Sequence, residues 1–257
     1  MELGLKDKVV VITGGSKGIG LACAQAFMAE GARVAIVSRS RSNLDSAASV
    51  LPKVVCIAGD LVQATAAKEM VRQAESALGP IDVLVNSAGA ARRYLPEDLN
   101  AEAWHAAMDA KYFTYIHAMD AVLPGMAGRG SGTVVNIIGM GGKVATPIHL
   151  PGGAANSALM LATVGLAHVY GPKGVRINAV NPGATMTERV REALKLEAKS
   201  RGSSEEEVLA QGQAKVPLRR YAASEDVANL TLFLASAKAS YITGAIVPMD
   251  GGSSAVL

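Results

Sequence analysis

The 257-residue sequence predicts a doubly wound parallel α/β domain. Three observations carry that prediction. Short runs rich in Val and Ile alternate with longer stretches of helical period along the whole chain. Several of these runs are apolar almost throughout, as strands covered on both faces must be. A glycine-rich turn joins the first run to the first helical stretch.

Taken in order, the first strand is expected at 9–13 and the first helix at 18–30, with Gly31 placed to end it in a left-handed conformation. A second strand at 33–38, a helix at 42–49 and a third strand at 54–57 follow. A helix at 63–78 is closed by Gly79, and a fourth strand falls at 81–85. The long helix at 101–126 has Asn100 as its N-cap. Strands at 133–138 and 175–180 flank a helix at 153–170. A last helix at 224–236, capped by Ser224, precedes a strand at 245–248. Such alternation implies right-handed crossovers, about seven strands and helices on both faces of one sheet. Residues 1–257 therefore read as one domain. Segment 187–217 is charged, broken by Ser and Gly, and follows a strand. Two readings of it are open: a solvated helical excursion, or a helical lid over a ligand crevice.

Half of the residues are hydrophobic and 18% are charged, enough for a sizeable core. The net charge of +3 is spread without a Lys/Arg block, which argues against nucleic-acid or membrane partners. The two cysteines, Cys23 and Cys56, sit in apolar contexts and read as buried reduced thiols. A charge appears too early after Met1 for a secretory leader, and no uninterrupted apolar run approaches the ~18 residues of a membrane span. A soluble cytoplasmic protein is the expectation. His105, His117 and His168 are scattered on helices without metal-ligand spacing, so no metal is expected. Trp104 and the methionines read as packing residues.

The first strand runs into Gly14-Gly15-Ser16-Lys17-Gly18-Ile19-Gly20, and a helix follows at once. Glycines 14, 18 and 20 permit a tight turn and a close backbone approach to a pyrophosphate. The helix start turns its free amides and positive dipole end to the same place. A glycine run alone marks any turn; between a first strand and a first helix it marks a Rossmann-type dinucleotide site. The end of the second strand selects the nucleotide. An acid there would hold the ribose hydroxyls, but this chain has Ser38-Arg39, with Lys17 in the preceding turn. Two cations and no carboxylate point to a 2′-phosphate, hence NADP(H). The other reading, two solvated surface charges, stays open.

These residues resemble the short-chain dehydrogenase/reductase family, in particular its 3-oxoacyl-carrier-protein reductases. The likeness extends over the chain through Gly59-Asp60-Leu61, Asn86-Ser87-Ala88-Gly89, Val175-Arg176-Ile177-Asn178-Ala179-Val180-Asn181-Pro182-Gly183 and Tyr241-Ile242-Thr243-Gly244. It implies that Asp60 bonds the adenine with Leu61 beside it. Asn86, Ala88 and Gly89 would line the riboses. Pro182, Gly183, Thr185 and Thr187 would surround the carboxamide and pyrophosphate. It also implies a homotetramer, assembled through the long helices and the last strand, with the apolar segment 245–257 taking part.

The family's chemistry rests on Asn, Ser, Tyr and Lys, and Tyr-x-x-x-Lys occurs nowhere in this sequence. Alignment from neighbouring motifs puts Gly139 at the Ser position, Gly152 at the Tyr position, Asn156 at the Lys position and Lys111 at the Asn position. Glycine carries no titratable proton, so the usual proton route is missing. Lys111 and Asn156 exchange residue types between two positions that the resemblance makes neighbours. His149, just ahead of Gly152, has the side chain best suited to proton transfer near neutrality. One expectation is that His149 moves the proton while Lys111 supplies positive field and Asn156 bonds the ribose. The bland alternatives are a solvated loop histidine and a surface lysine. Two functional classes follow: an atypical NADP(H)-dependent oxidoreductase acting on a carbonyl, alcohol or activated alkene, or a non-catalytic NADP(H)-binding sensor or partner subunit.

Overall fold

The computed structural model describes residues 2–89 and 92–254. Its frame is a seven-stranded parallel sheet in the order β3-β2-β1-β4-β5-β6-β9. The strands are β1 (Val9–Thr13), β2 (Arg33–Ser38), β3 (Val55–Ala58), β4 (Val83–Asn86), β5 (Gly132–Ile137), β6 (Val175–Pro182) and β9 (Ile246–Met249). A separate two-stranded pairing joins β7 (Thr185–Met186) to β8 (Ala222–Ala223).

Side chains along β1 leave the sheet alternately, which divides the core in two. Val9 and Val11 face a layer with α3 (Ala64–Leu78), α5 (Thr114–Arg129) and α6 (Leu150–Tyr170). Val10 and Ile12 face the opposite layer with α1 (Gly18–Ala29), α2 (Arg41–Ala48) and α9 (Ser224–Ala235). The strand order reverses between β1 and β4, so the loops leaving their carboxyl ends open a crevice at that point.

Several expectations are corrected in detail. The helix expected at 101–126 is not continuous: α4 (Ala101–Ala107) passes through a π-helical turn at Met108–Phe113 into α5. Asn100 does cap α4, accepting from the Ala103 amide at 2.9 Å. Ser224 does not cap α9; Ala223 holds that place, and the Asp226 carboxylate accepts from its amide at 2.8 Å. α6 begins a turn earlier than expected because Pro151 suits a first helical turn. Pro147–Lys173 is thus long and apolar enough to cross a membrane by composition, though half of it is buried and α6 packs on β6. Cys23 is buried and its thiol is pushed up to about 12 by burial, whereas Cys56 is only partly buried. Trp104 is 41% exposed on α4 instead of packed.

The Val175–Asn178 run has a structural role. Arg176 donates to the carbonyls of Leu234, Ala235 and Ser236, collecting acceptors left over at the end of α9, and to Ile242 O ahead of β9. Asn178 donates to Ile242 O at 2.8 Å and accepts from the Ala245 amide at 3.0 Å, fixing the turn into β9. Segment 187–217 is helical, with α7 (Glu188–Arg201) and α8 (Glu205–Ala214) packed around Leu194, Ala198 and Val208.

Candidate active site

Two loops meet where the strand order reverses. Gly14 has φ +67°, and a methyl group there would stand 2.7 Å from Ala88 Cα. Only glycine lets the turn after β1 press so closely on the loop after β4. The Thr13 hydroxyl joins the same loops, accepting from the amides of Ser87 and Ala88. Beyond the turn, α1 starts at Lys17 with no side-chain cap and no acid in its first turn. Its leading amides are left for a ligand, as an anion-binding helix start requires.

Gly14, Ser38, Arg39, Asp60, Leu61, Ala88 and Gly89 line one cavity of about 170 Å³. Ser16 and Lys17 complete the turn, and Gly18, Ile19 and Gly20 form the first turn of α1. Among the described residues Asp60 is the sole acid on the cavity wall, and it is occupied in a local turn, accepting from the Val62 amide at 3.3 Å. Arg39 borders the cavity; Lys17 does not, and its ammonium lies 3.7 Å from Glu188 at the head of α7. Thr187 caps α7, and its methyl group would be 3.5 Å from a Cβ at Gly18. The head of α7 therefore sits over the phosphate-binding turn. Donor sets and shape in this crevice suit a dinucleotide.

Asn86, expected from the resemblance at the ribose wall, turns its side chain inward. Its side chain is fully buried, accepting from Thr13 Oγ1 at 3.3 Å and donating to Asn136 Oδ1 at 2.9 Å. Asn136 in turn donates to Thr163 Oγ1 at 3.0 Å. This chain ties β1, β4, β5 and α6 together under the site and leaves Asn86 only its main chain to offer a ligand. Pro182 ends β6, and Gly183 follows it under Asp250. Thr185 Oγ1 donates to Gly183 O at 3.3 Å.

Two of the three expected catalytic side chains, Asn156 and His149, meet at the glycine-rich segment that follows β5, and the third, Lys111, reaches the end of that strand. Asn156 is buried on α6, and its Nδ2 would be 3.4 Å from a Cβ at Gly139 and 3.8 Å from one at Gly141. The His149 ring is 3.1 Å from the same point at Gly141. His149 is half-buried at the N-cap of α6, not in a free loop. Burial, then the charges of Arg93 and Lys111, hold its pKa below the usual histidine value. Among the described residues, His149 Nδ1, Asn156 Oδ1 and Asn181 Oδ1 are buried without a partner. Lys111 is no surface lysine. It sits in the π turn and donates to Ile137 O at 2.9 Å, two residues before Gly139.

π turns inserted in α-helices recur at functional positions because they re-aim a side chain. Here the turn also meets the loop after β4. Gly89 has φ +100°, and any Cβ there would strike Ala110 O. Sequence reasoning missed this turn and the partner it gives Lys111. Tyr115 donates to Ile137 O at 2.7 Å and accepts from Lys111 Nζ at 2.7 Å. The available signal was Lys-x-x-x-Tyr, a spacing that places both side chains on one helical face.

A second cavity of about 490 Å³ opens beside Gly141 and Gly183. Met140, Val144, Leu194, Val208 and Val216 form apolar wall; Arg201, Gln211 and Tyr221 come from α7, α8 and the segment after them. The cavity is thus walled by residues of α7 and α8 and by glycines 141 and 183.

Residues 14–254 match a family model described as enoyl-(acyl carrier protein) reductase. The chain is 34% identical to 2-(S)-hydroxypropyl-CoM dehydrogenase 3 of Xanthobacter autotrophicus, over 98% of each chain. It superposes with TM-score 0.95 on L-sorbose reductase from Gluconobacter frateurii complexed with NADPH and L-sorbose, at 29% identity over 100% of both chains. An NADPH-bound short-chain oxidoreductase from Pseudomonas aeruginosa PAO1, described as containing an atypical catalytic center, superposes at 0.89 with 28% identity, covering 98% of this chain and 99% of that one. With its parallel sheet, its glycine turn and relatives of this kind matched end to end, the chain belongs to the short-chain dehydrogenase/reductase family of oxidoreductases, whose cofactor is a nicotinamide dinucleotide.

Proposed function

We propose that this chain is an NADP(H)-dependent oxidoreductase that interconverts a carbonyl, or an activated alkene, and its reduced form through an atypical centre of Lys111, His149 and Asn156. The observation that carries the reading is that His149 and Asn156 meet at Gly139–Gly141, on the wall of the second cavity, while Lys111 reaches the end of the same strand at Ile137 O, next to Ala110 on the wall of the nucleotide crevice. When bound, the nicotinamide supplies or accepts the hydride equivalent. Arg39, at the cavity that would hold the adenosine ribose, selects the 2′-phosphate. The Asn156 amide keeps an acceptor available for a ribose or substrate hydroxyl. Lys111 places a positive charge where negative charge develops on a substrate oxygen, a preorganised stabilisation that a low-dielectric site strengthens. His149 holds or moves the proton through its ring nitrogens. With its pKa depressed, it is the neutral imidazole at neutral pH and acts there as a base toward an alcohol.

Helices α7 and α8 serve as the lid of the second cavity, and its apolar wall takes the substrate's carbon skeleton. Assembly as a homotetramer is supported by Leu161 and Val169, which are 77% and 56% exposed on α6, and by the exposed Phe113 on the π turn. The part of the apolar terminal segment at residues 255–257 lies outside the described residues.

A second reading draws on Gly139 and Gly152, which offer no proton at the family's Ser and Tyr positions: the chain binds NADP(H) without turning it over. The experiment separates the two. NADPH binding is measured alongside NADPH consumption with a panel of ketones, aldehydes, quinones and enones. Turnover that falls by roughly 10²-fold or more in Lys111→Met or His149→Ala supports the enzyme. Tight binding with no turnover on any class establishes the second reading.

A further inference from the structure

Tyr115 is the largest fully buried side chain among the described residues, and its hydroxyl lies at the carboxyl end of β5, against Ile137 O. A buried hydroxyl is costly unless bonded, and this one is bonded on both sides. Its proton goes to Ile137 O at 2.7 Å, and its lone pair receives Lys111 Nζ at 2.7 Å. The ammonium also reaches Ile137 O at 2.9 Å and lies 4.4 Å from the centre of the Tyr115 ring. Burial pushes the phenol pKa far up, so the tyrosine stays neutral. A neutral phenol whose proton is committed to a main-chain carbonyl, and whose ring no substrate reaches, is no proton donor for catalysis. Its oxygen, its ring face and the Ile137 carbonyl instead all present negative potential to one ammonium.

We propose that Tyr115 is a positioning residue, whose hydroxyl together with Ile137 O anchors the Lys111 ammonium at the carboxyl end of β5. The inference rests on the reading of Lys111 as part of the active centre. It gives the π turn a purpose. Lys111 and Tyr115 are four residues apart, and the widened turn sets both heads against the same carbonyl. The family's tyrosine–lysine pairing at this spacing is absent from α6, and a lysine–tyrosine pair of the reverse order stands on the facing helix.

Tyr115→Phe keeps the ring and removes only the anchor oxygen. In the wild type with NADP⁺ added, Lys111 should give a slowly exchanging side-chain ammonium resonance, assigned by its loss in Lys111→Met. Tyr115→Phe should return it to the fast exchange of surface lysines. In turnover, kcat should fall about tenfold, the scale of one hydrogen bond to a charged group. KM and the NADPH dissociation constant should stay within about twofold, since a positioning role shows in kcat. In the Lys111→Met background, Tyr115→Phe should change kcat no further. A slowly exchanging Lys111 signal that survives in folded Tyr115→Phe overturns the proposal, as does an equal kcat loss in both backgrounds. If the variant does not fold, the wild-type spectrum decides: a Lys111 ammonium exchanging as fast as surface lysines refutes the anchor. The spectrum needs no turnover. A protein inactive on every substrate, yet showing the anchored ammonium, keeps this assignment and loses the enzymatic reading.

Discussion

Replacing Arg39 with Ala tests the nucleotide assignment at its most exposed point. Arg39 borders the cavity that also carries Gly14, Asp60 and Ala88, and no carboxylate stands at the end of β2 to hold ribose hydroxyls instead. A guanidinium bonded to a phosphate contributes about 1.5–3 kcal/mol, which is roughly a 10- to 150-fold change in dissociation constant. NADPH should weaken by that factor, whereas NADH, which lacks the 2′-phosphate, should change less than about threefold. Lys17 should matter less. Its side chain is 59% exposed and shared with Glu188, so its contribution falls in the surface range below about 1 kcal/mol, or at most roughly fivefold. Fluorescence titration of both nucleotides against the wild type, Arg39→Ala and Lys17→Ala measures all of this. Equal weakening of NADPH and NADH in Arg39→Ala would sink the 2′-phosphate argument, and so would tighter NADH than NADPH binding by the wild type.

Other expectations follow from the same geometry. Gly14→Ala forces a left-handed alanine against Ala88 Cα at 2.7 Å, so thermal unfolding should show a loss of about 2–4 kcal/mol, with NADPH binding abolished. Asn136→Ala strands the buried Asn86 and Thr163 groups, and urea unfolding should report about 2–4 kcal/mol with little change in the slope. His149 has a folded pKa below its ordinary 6.5, so carbonyl reduction that needs its proton should rise only as pH falls beneath that value. Alcohol oxidation should hold its plateau above 6.5 and decline as the neutral base is lost; a limb that persists in His149→Gln assigns it elsewhere. Stability follows the same sign: it is complete above 6.5 and is lost as pH drops through the depressed folded value, because the unfolded chain binds the proton first.

Much of the frame was legible because its signals are local. Val9–Thr13 is apolar on both faces and runs into glycine, which states strand, turn and helix start together. Asn100 announced α4 through its own short side chain. The break inside the long helix was not legible. Residues 101–126 keep a helical period throughout, and the extra residue of a π turn shows only in where Ala110 and Lys111 meet Gly89 and Ile137. The cap of α9 was misassigned for a related reason: Asp226 supplies the oxygen from inside the helix, so Ser224 looked like the cap by type. At the site, residue identities and their approximate neighbourhood came from motif order, but their partners came from the fold. No local pattern says that Asn86 turns inward to Asn136, or that Lys17 leans toward Glu188. Tyr115 is the clearest case, since a tyrosine in a hydrophobic helix reads as packing until its hydroxyl is seen to reach a strand carbonyl.

Glycine at positions 139 and 152, where the family resemblance implies Ser and Tyr, has a physical signature that bears on whether the site is in use. A catalytic hydroxyl can be removed cheaply by filling its place with apolar atoms, which also relieves neighbouring polar groups of an awkward environment. That did not happen here. The floor is glycine, and the buried polar atoms around it include His149 Nδ1, Asn156 Oδ1 and Asn181 Oδ1, each without a partner among the described residues. Leaving a buried polar atom unsatisfied costs about 1–3 kcal/mol. Such costs persist where a ligand relieves them or chemistry needs them. Lys111 adds to this, because an ammonium drawn inward to a strand carbonyl gives up hydration that a surface position would keep. A crevice that had only to hold a nucleotide would require the glycine turn, Arg39 and the loops after β1 and β4. It would not require an imidazole nitrogen and an amide oxygen buried without a partner among the described residues, nor an inward-facing ammonium, at the glycine floor.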